Sequence, residues 1–78
     1  MVEILKFEKN GCMPCRIEDN VLNQFDTPIT RIHLENDGRE RFDEYQVQST
    51  PTLIKLVDGV EDSRKSGLQT FGQLKGWM

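Results

Sequence analysis

Cys12 and Cys15 are the only cysteines in this 78-residue chain, and they enclose Met13 and Pro14 in a Cys-Met-Pro-Cys segment. Two thiols three positions apart can ligate a metal, pack as small apolar groups, or exchange with a disulfide. Structural zinc needs about four Cys or His ligands, and outside the pair the chain offers a single histidine, His33. No metal site is predicted. A structural crosslink is a weak reason for the pair, because so small a ring contributes roughly 2 kcal/mol by the loop-entropy relation. Two buried, inert thiols are the bland alternative. Reversible thiol–disulfide exchange fits the spacing best, since two intervening residues bring the sulfurs within bonding reach while the bond stays easy to break.

Exchange requires a thiolate, and the elements around the pair predict where one would form. Val2–Phe7 carries β-branched and aromatic residues and stops at the polar turn Glu8-Lys9-Asn10-Gly11, which predicts a strand. Beyond the cysteines, Ile17, Val21, Leu22 and Phe25 give the apolar stripe of an amphipathic helix from about Cys12 to Phe25, with Arg16, Glu18, Asp19 and Asn20 around its other sides. The unpaired N–H groups and the positive dipole end of its first turn lower a cysteine pKa there. Cys12 is therefore the expected nucleophile. Pro14 is tolerated in the first turn because its missing N–H costs nothing there, and Cys15, one turn further in and shielded by packing, is the expected resolving thiol.

The remaining elements follow from punctuation and periodicity. Asp26-Thr27-Pro28 breaks the helix, and Ile29–Leu34 alternates as a half-exposed strand. Asn36-Asp37-Gly38 interrupts the chain before a short charged helix over Arg39–Gln46 that carries Phe42 and Tyr45. Leu53–Val57, Asp58-Gly59 and Val60–Lys65 read as a hairpin. Thr70 and Gln73 form a capping-box pattern opening a last helix with Phe71, Leu74 and Trp77. The expected order is β-α-β-α-β-β-α: an α/β fold with a four-stranded mixed sheet, its first two strands parallel, and helices on both faces. One domain over residues 1–78 is expected, since so short a chain cannot supply two cores.

Ten Lys and Arg stand against 13 Asp and Glu, interspersed along the chain, which leaves no basic footprint for nucleic acid. The first residues are too short and too charged for a signal peptide, and no apolar run approaches the ~20 residues that span a bilayer. A cytoplasmic monomer without a membrane or nucleic-acid partner is expected. In a reducing compartment a CxxC reads as metal-binding or redox-catalytic.

With strand, CxPC and helix followed by Val47-Gln48-Ser49-Thr50-Pro51-Thr52-Leu53, then Asp58-Gly59, Gly67 and Leu74-Lys75-Gly76-Trp77, the chain resembles the thioredoxin family over nearly its whole length. In size it is similar to glutaredoxins and to the small redoxins of archaea and phages, without the extra N-terminal strand and helix of ordinary thioredoxins. The resemblance implies a dithiol/disulfide oxidoreductase that reduces protein disulfides, with no bound cofactor beyond the Cys12–Cys15 disulfide and a thioredoxin-reductase-type electron donor. It also implies a cis Thr50–Pro51 bond beside the cysteines, where Thr50 and Pro51 would meet substrate by strand addition; Met13, in place of the family's glycine, is either a flexible contact for partner surfaces or an exposed filler.

Departures from the family pattern open alternatives. Lys6 stands where thioredoxins usually carry a buried aspartate; its ammonium either favours the thiolate or snorkels to water. Gly11 replaces the usual tryptophan and opens the rim. Gly67-Leu68-Gln69 stands where glutathione-binding glutaredoxins carry Gly-Gly and a polar residue, yet Lys9 and Arg16 could hold carboxylates, so glutathione-dependent reduction is the alternative enzyme. A redox-inert binding module is the alternative outside enzymology. His33, Phe42, Tyr45, Phe71 and Trp77 are expected to be surface or packing residues.

Overall fold

Four consecutive buried residues, Ile4 to Phe7, mark β1 (Val2–Glu8) as an interior strand, because an edge strand or a one-sided sheet would bury only alternate positions. The computed structural model describes the backbone of residues 1–78 and every side chain except that of Asp37. After β1 come α1 (Met13–Leu22), β2 (Ile29–His33), a wide turn over Leu34–Gly38, α2 (Arg39–Glu44), β3 (Thr52–Val57), β4 (Val60–Ser66) and α3 (Phe71–Leu74). The sheet order is β2-β1-β3-β4. β1 runs parallel to β2 and antiparallel to β3, and β3 and β4 form the hairpin, with a register shift after Lys55. Asp58 and Gly59, both at positive φ, make its two-residue turn.

Alternation along the central strands sorts the core into two clusters. Leu5, Phe7, Ile32, Ile54 and Leu56 face α2, where Phe42 meets Phe7 edge-to-face at 5.0 Å. Ile4 and Leu53 face the opposite way, onto Leu22 of α1 and Leu74 of α3. Lys6 points to this second face and is completely buried.

The helices differ from the sequence expectation in three ways. α1 ends at Leu22 because residues 23–25 tighten into i→i+3 turns, with Gln24 N–H on Val21 O and Phe25 N–H on Leu22 O. Asn36-Asp37-Gly38 does not break the chain; residues 34–38 wind into a π-type turn that runs into α2, which ends at Glu44 instead of Gln46. Gly38 is required there, since a Cβ would stand 2.5 Å from the His33 carbonyl oxygen. α3 has its capping box but only four residues, because Lys75 is extended and Gly76 turns the chain at φ 88°; Trp77 lies beyond the helix and packs against the second cluster.

Candidate active site

The turn after β1 passes Gly11 at φ +69° with open space around it, a conformation that favours glycine, and delivers Cys12 to the N-cap of α1. Cys12 and Cys15 are joined by a disulfide, their Cα atoms 5.3 Å apart. Exposure does not separate the two, at 6% and 4%; hydrogen bonding does. The Cys12 sulfur receives the Cys15 backbone N–H at 3.2 Å and the Thr50 hydroxyl at 3.4 Å. Pro14 sits in the first helical turn and Met13 beside it is 60% exposed.

The segment before β3 completes the mouth of the site. Thr50–Pro51 is cis, and Pro51 O accepts the Gly67 N–H at 2.8 Å. Thr52 Oγ1 donates to Ser49 O. Among the described residues, the backbone N–H and C=O of Thr50 make no backbone hydrogen bond.

Beneath the cysteines lies a cluster of charges. Lys6 does not snorkel: its ammonium donates to Cys15 O at 2.9 Å, Glu8 Oε1 at 2.9 Å and Asp19 Oδ1 at 2.7 Å. Arg31 of β2 bonds the same two carboxylates. Burial alone pushes the Asp19 carboxyl up, but hydrogen bonds and charge from Lys6 and Arg31 outweigh it and hold the group below its ordinary value. A cavity of about 180 Å³ opens over this cluster, lined by Glu8, Cys12, Cys15, Arg16, Asp19 and His33 among others. His33, expected on the surface, is thus a wall of the cleft, with Nδ1 3.5 Å from Glu35. A second cavity, about 340 Å³, lies on the Thr50 side between Lys9, Arg39, Phe42 and Gln48. Among the described residues no group of three or more His, Cys, Asp or Glu could hold a metal ion.

One buried group was not anticipated. The stripe through Ile17 placed Glu18 on a polar side, whereas Ile17 is 44% exposed and Glu18 is completely buried. Counting from Cys15 recovers it: Cys15, Glu18 and Leu22 recur at three and four residues and form the inner face of α1, a spacing that Phe25 continues beyond the helix end.

The solved structure of a mutant thioredoxin from Halobacterium salinarum superposes with a TM-score of 0.86 at 26% identity, over 97% of this chain and 70% of that one. The chain has the thioredoxin fold. Thioredoxins from Fasciola hepatica (TM-score 0.85, 21% identity, 97% and 76% coverage) and Arabidopsis thaliana (thioredoxin O2, oxidised; 0.83, 23%, 100% and 72%) share the fold. No family model and no curated protein sequence matches the chain. With its cysteine pair joined at the head of α1 of a thioredoxin fold, the chain is a thiol–disulfide oxidoreductase. No helix is long and apolar enough to cross a membrane.

Proposed function

We propose that the protein reduces disulfides of other proteins, with Cys12 as nucleophile and Cys15 as resolving thiol. The carrying observation is the pair of donors, Cys15 N–H and Thr50 Oγ1–H, on the Cys12 sulfur at the head of α1. Once the pair is reduced, these donors and the helix dipole stabilise a thiolate at Cys12, while the Cys15 sulfur has no such placement. Cys12 thiolate attacks one sulfur of the substrate disulfide, and the other sulfur leaves as thiolate and takes a proton from solvent. Cys15, losing its own proton, then attacks Cys12 Sγ and expels the second substrate thiolate. Two electrons pass to substrate and the Cys12–Cys15 bond forms. Met13, Thr50 and Pro51 border the approach, and the free Thr50 backbone supports docking of an extended peptide.

Glutathione-coupled reduction is the second reading. It is favoured by the cavity beside Thr50, where Lys9 and Arg39 supply cations for tripeptide carboxylates. Insulin-disulfide reduction tests both, driven in turn by dithiothreitol, by a thioredoxin reductase with NADPH, and by glutathione with glutathione reductase. Turnover with the first two, abolished in Cys12→Ser, is expected. Turnover only with glutathione selects the second reading, and failure in every arm leaves a redox-inert binding module.

A further inference from the structure

Glu18 is a fully buried carboxyl group that the exchange chemistry as described does not use. It lies one helical turn after Cys15 on the inner face of α1. Residues three apart on a helix have Cβ atoms roughly 5–6 Å from each other. Helical side chains lean toward the helix N-terminus, which carries Glu18 over the turn that holds Cys15. Glu18 Oε2 accepts the Gln69 backbone N–H at 3.0 Å, anchoring the carboxyl to the segment between β4 and α3. Among the described residues, its other oxygen, Oε1, is buried with no hydrogen-bond partner. A buried acceptor left open is costly unless it serves a purpose.

We propose that Glu18 is the proton acceptor of the resolving step. This rests on the Cys12/Cys15 assignment and adds the destination of the Cys15 proton. In the mixed disulfide, Cys15 Sγ–H gives its proton to Glu18 Oε1, and the Sγ electron pair forms the bond to Cys12 Sγ. The Cys12–substrate S–S bond breaks, and the substrate sulfur departs with that bonding pair.

The charged groups around Glu18 support the role. From β1, Lys6 supplies the nearby positive charge, itself tied to Cys15 O, Glu8 and Asp19; from α1 comes the negative charge of Asp19, which β2 compensates through Arg31. The segment before α3 contributes only the Gln69 amide. Burial, the dominant influence, raises the Glu18 pKa, with the Gln69 bond and Lys6 opposing it and Asp19 adding to it. That makes Glu18 a better base near neutral pH than an ordinary carboxylate. Asp19 and Glu8 are poorer choices, because their oxygens are occupied by Lys6 and Arg31.

Single-turnover reaction of the reduced protein with 5,5′-dithiobis(2-nitrobenzoate) separates the steps, since attack by Cys12 releases one coloured thiolate and resolution by Cys15 the second. Between about pH 5 and 9, Glu18→Gln should slow the second phase at neutral pH by at least about 10-fold and flatten its pH profile, leaving the first within about 2-fold. A folded variant with an unchanged second phase, or with both phases slowed equally, overturns the proposal. Carboxyl-¹³C NMR of wild type gives a check independent of the variant's folding: the Glu18 titration midpoint should differ between reduced and oxidised protein, and equal midpoints overturn the role. Absence of a first phase in wild type overturns the redox assignment itself, and this inference with it.

Discussion

The Thr50 hydroxyl meets the cysteine pair at Cys12 Sγ and the Lys6 ammonium at the Cys15 carbonyl, and the expected effects of removing them differ in size. The Thr50 hydroxyl donates directly to Cys12 Sγ at 3.4 Å, a long bond that gains strength when the acceptor is a thiolate. Thr50→Val, which keeps the shape and removes the donor, should raise the Cys12 pKa, because the thiolate loses a hydrogen bond of ~1 kcal/mol. The pH dependence of iodoacetamide alkylation of the reduced protein measures it. Lys6 is a cation with two carboxylate partners, and those partners cancel much of its field at Cys12. Lys6→Met should therefore raise the same pKa by less than Thr50→Val does. Its larger effect should be on stability, a loss of roughly 1–3 kcal/mol in urea unfolding, because Glu8 and Asp19 keep Arg31 while the buried Cys15 carbonyl loses its donor.

At the scale of elements, the junction between β2 and α2 is the most constrained. Gly38 sits so close to the His33 carbonyl that Gly38→Ala must push the backbone apart, with an expected cost of about 1–3 kcal/mol, or more if the turn cannot relax, in chemical denaturation. A stability equal to wild type would mean that the turn is not as tight as described. This junction was also the least legible in the sequence: Asn36-Asp37-Gly38 has the composition of a chain break, and only the close approach of two backbone segments makes the glycine part of a helical turn. Strands and hairpin were readable to within a residue or two, because short apolar and β-branched runs bounded by turn residues, and Asp58-Gly59, are local signals. The cysteines' place at the head of α1 was readable for the same reason. Glu18 was missed because composition assigns a glutamate to the solvent side, and the stripe counted from Ile17 fitted that assumption. The burial of Lys6 escaped for a related reason: its three acceptors come from β1 and α1, and Arg31, which shares two of them, comes from β2. No local pattern announces a cluster assembled from three elements.

For the molecule as a whole, the sheet divides the interior into a dry side and a charged side. Beneath α2 the core is aromatic and aliphatic, whereas beneath α1 the apolar cluster gives way to Lys6, Glu18 and the carboxylates toward the cysteine end. Stability should consequently depend on pH in two opposite senses. Asp19, depressed in the folded state, stabilises above its unfolded value near 3.8, and that contribution is lost as pH falls through its lower folded value. Glu18 is raised, so the folded protein binds its proton more tightly than the unfolded chain does. Below the ordinary value near 4.5 it costs nothing. As pH rises past that value the unfolded chain ionises first and stability falls, until the folded group also ionises and the loss levels off. Glu18→Gln removes this second dependence while retaining an oxygen for the Gln69 amide. Thermal unfolding of the oxidised forms should therefore give the variant a rising advantage over wild type from about pH 5 upward, with little difference in acid. An advantage of constant size at every pH would assign the gain to packing; a variant less stable at neutral pH would show that the ionised carboxylate is held favourably, against the direction burial imposes.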